Sequence, residues 1–354
     1  MSAGAFGHAA RERWAGGPKL SDIVTDSPTQ ERGLSAPPLR YLSAAELDRC
    51  LPGVPERLDL AAQALSALGR GTAEMPPKIG VHPRPGALLH AMPAWLREGD
   101  LVGLKWVSAF PANRELGLPA ISGLVVLNDA ETGLPTWIMD AARITSVRTA
   151  AVSGVGIRLF MPAHAERVAV IGAGVQARAH VEVVAALLPG AELVVYDSTP
   201  GRAEALAAEA RAGGTPASTV ASAEEAAGAA DVVITLAPLG ALKQVMTPDW
   251  LAHGTLAVAV DFATYASAEL ARDVGNFVVD DRVQFLAYRD AGHFDDYPDP
   301  SATMGELLDS GVPPRSARLP ALVTHLGVGL ADVIFADAIR RRAEAMGAGT
   351  ELER

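Results

Sequence analysis

The run Val168-Ala169-Val170-Ile171 leads without a break into Gly172-Ala173-Gly174-Val175-Gln176-Ala177. No other stretch limits the fold of this chain so tightly. Four apolar residues without alternation describe a strand covered on both faces, as in parallel sheets. Gly172 permits a tight strand-to-helix turn. Gly174 leaves room for a pyrophosphate against the backbone, and Ala177 lets the following helix lie close to the strand. The free N–H groups and positive dipole end at the start of that helix, around Val175 and Gln176, suit phosphate. The pattern is G-x-G-x-x-A, the dinucleotide-binding fingerprint of a Rossmann domain.

The next apolar strand ends in Val194-Val195-Tyr196-Asp197, which places Asp197 23 residues after Gly174. A carboxylate there meets the adenosine ribose hydroxyls and repels a 2′-phosphate. Ser198 follows it rather than an arginine. The expected cofactor is therefore NAD in preference to NADP, held by Gly172, Gly174, Val175, Gln176, Asp197 and Ser198. Thr235, near the end of the apolar run 231–236, is assigned to the same cofactor site.

Around this unit the chain alternates. Strands are read at Arg167–Ile171, 191–196, 216–220, 231–236, 256–261 and 276–280, and helices at 175–188, 200–212, 222–228 and 266–273. That alternation predicts a parallel sheet with crossover helices on both faces. Before residue 140 the texture differs. Ser43 and Glu46 form a capping-box pattern, a helix runs over 56–69, and strands are read at 75–82, 87–92, 101–110, 120–129 and 134–139. Strands with few helices between them predict an antiparallel or mixed sheet. Residues 141–160 read as a helix, and 318–343 as a long amphipathic helix with a glycine-rich start. Residues 1–39 show no sustained period beyond a short helical stretch at 8–15 and are expected to be a mobile extension. The fold class is α/β: a Rossmann-type parallel-sheet domain plus an α+β domain.

Composition excludes several functions. The formal charge is −11, with 30 basic and 41 acidic residues and no basic run, so nucleic acid is not an expected partner. No stretch approaches ~18 uncharged apolar residues, and no membrane span is expected. Arg11, Glu12 and Arg13 interrupt any secretory leader, which points to the cytoplasm. The single cysteine, Cys50, sits in a short helical stretch and permits neither an intrachain disulfide nor a Cys-based zinc site. The histidines are scattered without H-x-x-x-H spacing, so no metal is expected. His82 and His90 lie near Lys78 in sequence, and His293-Phe294-Asp295-Asp296-Tyr297 reads as a solvated loop.

Five segments carry a resemblance. They are Met75-Pro76-Pro77-Lys78, Gly103-Leu104-Lys105-Trp106-Val107, Thr132-Gly133-Leu134-Pro135, Ile144-Thr145-Ser146-Val147-Arg148-Thr149-Ala150-Ala151-Val152-Ser153, and the fingerprint itself. With these, the chain resembles the ornithine cyclodeaminase/mu-crystallin family over roughly residues 41–345. The resemblance implies a homodimer of two-domain subunits. Residues 40–143 together with 318–354 would form the substrate-binding and dimerisation domain, and 144–317 the Rossmann NAD-binding domain. It also implies one shared chemistry: a hydride moves between nicotinamide and the α-carbon of an amino acid or its imine. Amino-acid dehydrogenases, cyclodeaminases and ketimine reductases all fall within it. A mu-crystallin-like protein that binds nucleotide without turnover is the second reading.

That chemistry needs a cation for the substrate carboxylate, best a guanidinium that binds it bidentately, and an acid–base group near the nitrogen. Arg148 resembles the carboxylate clamp, and Thr149 beside it is expected at the nicotinamide or phosphate region. Lys105 matches the family's catalytic lysine. It lies between Leu104 and Trp106 on an apolar strand, where burial lowers a lysine pKa towards a useful range. Lys78 stands where many family members carry a carboxylate-binding arginine; it keeps the charge and loses the fork.

The chain departs from the pattern after the strand 256–261. Ornithine cyclodeaminases carry there an Asp that handles the distal amine. Aligned from Glu269-Leu270, that Asp falls on Ala263 and a nearby family lysine on Ser267. Asp261 stands two residues earlier, at a strand carboxyl end where Rossmann ligands bind, and is the expected catalytic carboxylate.

Overall fold

Among the described residues, eight strands build an all-parallel sheet in the order β10-β9-β8-β11-β12-β15-β13-β14. The strands are β8 (Arg167–Ile171), β9 (Glu192–Tyr196), β10 (Ala217–Thr219), β11 (Val232–Thr235), β12 (Leu256–Ala259), β13 (Asn276–Val279), β14 (Ala302–Thr303) and β15 (Ala321–Thr324). Order reverses between β8 and β11, so the crevice at their carboxyl ends is a ligand site by topology. The computed structural model describes residues 36–162, 164–238, 243–312 and 319–353. Most of the expected extension 1–39, with its helical stretch at 8–15, lies outside the described residues.

The second sheet is mixed. It contains β1 (Leu39–Leu42), β2 (Ala73–Glu74), β3 (Ile79–Arg84), β4 (Ala87–Leu96), β5 (Leu101–Ala109), β6 (Ile121–Asn128), β7 (Pro135–Asp140) and β16 (Thr350–Leu352). The order is β16-β1-β7-β6-β5-β4-β2, with β3 also paired to β4. Among the described residues, the β1–β7 pair alone is parallel in this sheet. Lys105 on β5 stands opposite Val125 of β6 and Met92 of β4, all on the buried face. Trp106 pairs with Leu124 on the opposite face, and both remain exposed. This is the period of two that a strand imposes.

Two helices position the site. Helix Ala141–Phe160 starts where Asp140 Oδ1 accepts from Ala142 N at 2.9 Å. It touches β6 of the mixed sheet and β12 of the parallel sheet, so it is buried along almost its whole length. Helix Gly329–Met346 lies across β4, β5 and β6 on the buried face of the mixed sheet. Upstream, the expected capping box is present: Ser43 N donates to Glu46 Oε2 at 3.1 Å, and Glu46 N to Ser43 Oγ at 3.4 Å.

Three local expectations change. Residues 321–324, read as the start of the last helix, form strand β15 in the middle of the parallel sheet. A four-residue run buried on both faces has no period that separates strand from helix. The segment from 319 onward therefore serves both sheets, through β15 and β16. Residues 75–78 are not strand, so Lys78 projects from the connection between β2 and β3. The segment His293–Tyr297 is solvated in part: His293, Asp295 and Asp296 are exposed, while its two aromatic rings anchor it. Phe294 and Tyr297 are buried, with ring centroids 5.2 Å apart, and Phe294 lies 4.8 Å from Phe285. Among the described residues, no helix is long and apolar enough to cross a membrane.

Candidate active site

Lys105 is 1% exposed on the inner face of β5, yet it carries an ammonium. Its partner comes from helix Gly329–Met346. Lys105 Nζ lies 2.7 Å from Asp332 Oδ2, and Arg148 Nε donates to Asp332 Oδ1 at 2.9 Å. Thr145 Oγ1, on the helix that carries Arg148, lies 3.4 Å from Lys105 Nζ. One buried carboxylate thus bridges a lysine and an arginine. Burial, with Arg148 beside it, pulls the Lys105 pKa down to about 7, although Asp332 acts in the opposite direction. A lysine in that range both donates and accepts a proton near neutrality.

The third cation enters from the other side. Lys78 Nζ donates to Leu326 O and sits 5.7 Å from the Tyr288 ring centre. Loss of water around its ammonium, reinforced by Arg148, lowers its pKa to about 8. Asp280, just beyond β13, accepts from Leu326 N at 2.9 Å and Gly327 N at 2.7 Å through Oδ2. Burial raises the Asp280 pKa to about 6, and Lys78 opposes the rise. Gln284 Nε2 donates to Gly327 O at 3.2 Å, so loop 325–327 is held on several sides. Gly327 itself has φ +84°, and a Cβ there would stand 2.3 Å from Arg148 Nη1. Only glycine lets the loop lie against the guanidinium. His90 lies within electrostatic reach, and burial followed by Lys78 brings its pKa down to about 4.

The structure thus brings Lys78, Lys105 and Arg148 together, with Thr149 buried on the same helix as Arg148. Asp261 is not joined to them. It lies at the carboxyl end of β12, and its Oδ2 accepts from Ala237 N at 3.3 Å. Burial raises its pKa to about 7 against the hydrogen bonds from the Thr235 side chain and backbone. Among the described residues it forms no ion pair with the three cations. Thr235 is fully buried at the end of β11 beside it.

The dinucleotide turn has the form expected from its residues. Gly172 adopts φ +107°, and a Cβ there would stand 2.8 Å from Leu236 O. Gly174 is the N-cap of helix Val175–Leu187, and a Cβ there would meet nothing within 4 Å. Val175 and Ser198 are exposed beside that opening. Asp197 Oδ2 accepts from Ala173 N at 2.8 Å, and Oδ1 from Thr199 N at 2.8 Å. The carboxylate therefore braces the turn and keeps lone pairs for a further donor. Gln176 Oε1, Thr324 Oγ1 and His325 Nδ1 are buried at this edge of the sheet without a hydrogen-bond partner. An open turn and orphaned polar atoms along one sheet edge fit a bound dinucleotide.

The model of the ornithine cyclodeaminase/mu-crystallin family matches residues 50–346. The chain belongs to that family. Nodulation efficiency protein NfeD of Rhizobium meliloti is 37% identical over 327 residues, covering 88% of this chain and 98% of the relative. Among solved structures, a Thermococcus litoralis Delta(1)-pyrroline-2-carboxylate reductase in complex with NADH and L-proline is similar at a TM-score of 0.79 and 26% identity, covering 88% of this chain and 100% of that one. An archaeal alanine dehydrogenase dimer with bound NAD is similar at 0.80 and 27%, covering 89% and 99%.

Three residues of this family member's site escape a reading by sequence. Asp332 sits in Gly329-Leu330-Ala331-Asp332-Val333-Ile334-Phe335, and a carboxylate alone in so apolar a run is the signal that marks it. Asp280 ends an apolar strand in the same way as Asp197 and Asp261. His325 follows a fully buried strand that was itself read as helix.

Proposed function

We propose that this family member is an NAD-dependent oxidoreductase that moves a hydride between nicotinamide and the α-carbon of an amino acid or the matching imino acid. The Lys105–Asp332–Arg148 bridge carries the reading. Three cations (Lys78, Lys105 and Arg148) face two buried carboxylates (Asp332 and Asp280), which leaves a surplus positive charge for a substrate carboxylate when Lys105 is protonated. Arg148 gives its Nε to Asp332 and retains two terminal nitrogens for a carboxylate. Lys78 adds a point charge. Lys105 holds or takes the proton of the substrate nitrogen. Bound NAD would supply the hydride acceptor, held along Gly172, Gly174, Val175, Gln176, Asp197, Ser198, Thr149 and Thr235. Asp197 favours NAD over NADP by charge.

Within that chemistry, simple oxidation or reduction is favoured over cyclisation. Ala263 has no carboxylate, and Ser267 accepts from Leu270 N at 3.0 Å as a helix cap. Asp261, the remaining candidate, is apart from the cations. The relatives named for pyrroline-2-carboxylate reduction and alanine oxidation support the same side. The functional unit is a homodimer, with the outer face around Trp106 and Leu124 covered by a second copy.

The test is nicotinamide absorbance across two panels. NAD is offered with alanine, ornithine, lysine and diaminobutyrate; NADH is offered with cyclic imino acids and with pyruvate plus ammonia. A change in either panel that Lys105→Met abolishes while NADH binding persists supports the reading. Ammonia release from ornithine without net NADH would make the protein a cyclodeaminase. NADH binding with silence in both panels would favour a binding protein without turnover.

A further inference from the structure

Behind the site runs a buried chain of three side chains that the reaction described above does not use. His180 Nδ1 lies 2.8 Å from Gln176 O, His180 Nε2 lies 2.8 Å from Ser153 Oγ, and Ser153 Oγ lies 2.8 Å from His325 Nε2. All three residues are at most 1% exposed.

The protons of this chain are fixed by elimination. A backbone carbonyl only accepts, so His180 Nδ1 carries the hydrogen. His180 is neutral, because burial lowers its pKa to about 4, and its Nε2 is therefore an acceptor. Ser153 gives its single hydrogen to that nitrogen. Its oxygen must then accept from His325 Nε2–H. Burial, with His180, Arg148 and Lys78 nearby, holds the His325 pKa well below its usual value, so this ring is neutral too. His325 Nδ1 is left with a bare lone pair, buried and without a partner. A buried acceptor left unmet is costly and calls for an occupant.

His325 stands at the carboxyl end of β15, beside β12, and its N donates to Ala259 O at 3.2 Å. The next two residues are Leu326 and Gly327, which meet Lys78 and Arg148. We propose that His325 Nδ1 accepts an N–H from a molecule bound at this edge, and that Ser153 and His180 are positioning residues that hold it in the accepting tautomer. The donor is a primary amide or amine N–H, either the nicotinamide carboxamide or the substrate nitrogen. This rests on the dinucleotide reading above. It adds a polar contact that discriminates for nitrogen donors and that Ser153 and His180 tune from behind.

The first measurement is the nitrogen-15 spectrum of the histidine side chains in the intact wild-type protein, free and with NADH, then with substrate. His325 should show the Nε2–H form, with the Nδ1 signal moving upfield on binding of one ligand. The second uses His325→Phe, which removes the acceptor, and His325→Asn, which returns an oxygen near the Nδ1 position. Phe should weaken one ligand roughly tenfold, the worth of one hydrogen bond, and Asn should recover most of it. A loss in NADH affinity by fluorescence assigns the carboxamide. A rise in substrate KM at constant NADH affinity assigns the substrate nitrogen. Ser153→Ala should give a smaller loss of the same kind and a mixed tautomer signal. An Nδ1–H form in the free protein, or an Nδ1 signal unmoved by both ligands, overturns the inference even if the variants fail to fold. A wild-type protein that binds no NADH at all removes the dinucleotide reading and this inference with it.

Discussion

The Asp332 carboxylate and the Lys105 ammonium meet at 2.7 Å with essentially no solvent contact on either side. Asp332 favours the charged lysine, while burial and Arg148 disfavour it. Asp332→Asn removes the favourable part, so the Lys105 pKa falls below about 7. A reduction that needs protonated Lys105 loses rate as pH rises through that pKa. In the variant this decline moves to lower pH, and each unit of movement lowers the protonated fraction about tenfold at pH 8. The same change strands two buried cations and should lower stability by about 3–5 kcal/mol. A pH–rate profile and a denaturant melt read the two effects separately.

Gly327→Ala tests the fit of the loop on Arg148. The new methyl would meet the guanidinium at 2.3 Å, on a backbone with positive φ. The expected result is a rise in KM for the acid substrate of roughly tenfold or more, with NADH affinity changed little. Steady-state kinetics beside a fluorescence titration separates them. Equal loss of both would mean that the loop, not the clamp, had been broken.

Asp261 gives a test by stability. Its pKa rises from 3.8 to about 7 on folding, so between those values the folded chain holds a proton that the unfolded chain releases. Stability conferred by this group is therefore lost as pH rises through that window. Asp261→Asn keeps an acceptor for Ala237 N and cannot ionise. It should flatten the decline and gain on the order of 4 kcal/mol over wild type above pH 7. Urea midpoints from pH 4 to pH 8 measure it. If turnover also survives in the variant, Asp261 has no part in catalysis.

Asp197 braces the turn and, as proposed, also meets the ribose; substitution separates the two. Asp197→Ser removes both the charge near the ribose and the acceptor for Ala173 N. NADH should bind about tenfold more weakly, and the preference over NADPH should fall. Adding Ser198→Arg should bring NADPH affinity above that for NADH. Unchanged selectivity in the double variant would show that Asp197 serves only the turn.

Trp106→Glu places a charge in the exposed apolar pair with Leu124. Sedimentation should show the wild type as a dimer and the variant as monomer at micromolar concentration. A dimeric variant would move the interface elsewhere.

What the sequence made legible is what is local. The turn from Gly172 to Ala177 is specified by neighbouring residues, and so are the capping box at Ser43 and the helix 141–160. Lys78, Lys105 and Arg148 were readable because each sits in a short segment resembling the family. Their anions were not. Asp332 lies 184 positions from Arg148 in the chain, and no local pattern joins them. Burial inverted two readings. β15 is too short and too thoroughly covered to show a period, and Phe294 and Tyr297 are drawn inward from a segment whose acidic residues suggest water. Asp261 ends a strand beside the crevice, and that position is the whole of its signal in the sequence. Asp280 ends another such strand and is the one that lies beside Lys78.

Helix Ala141–Phe160 has a consequence for timing. It carries Arg148 to the Asp332 carboxylate and Ser153 to the His180 and His325 rings, five residues and about 7.5 Å apart along the axis. That interval is set by covalent geometry, inside a rod clasped by both sheets. The Arg148 guanidinium and the Ser153 hydroxyl therefore move as one piece with the helix. Their spacing is a fixed ruler between the Asp332 bridge and the buried histidines.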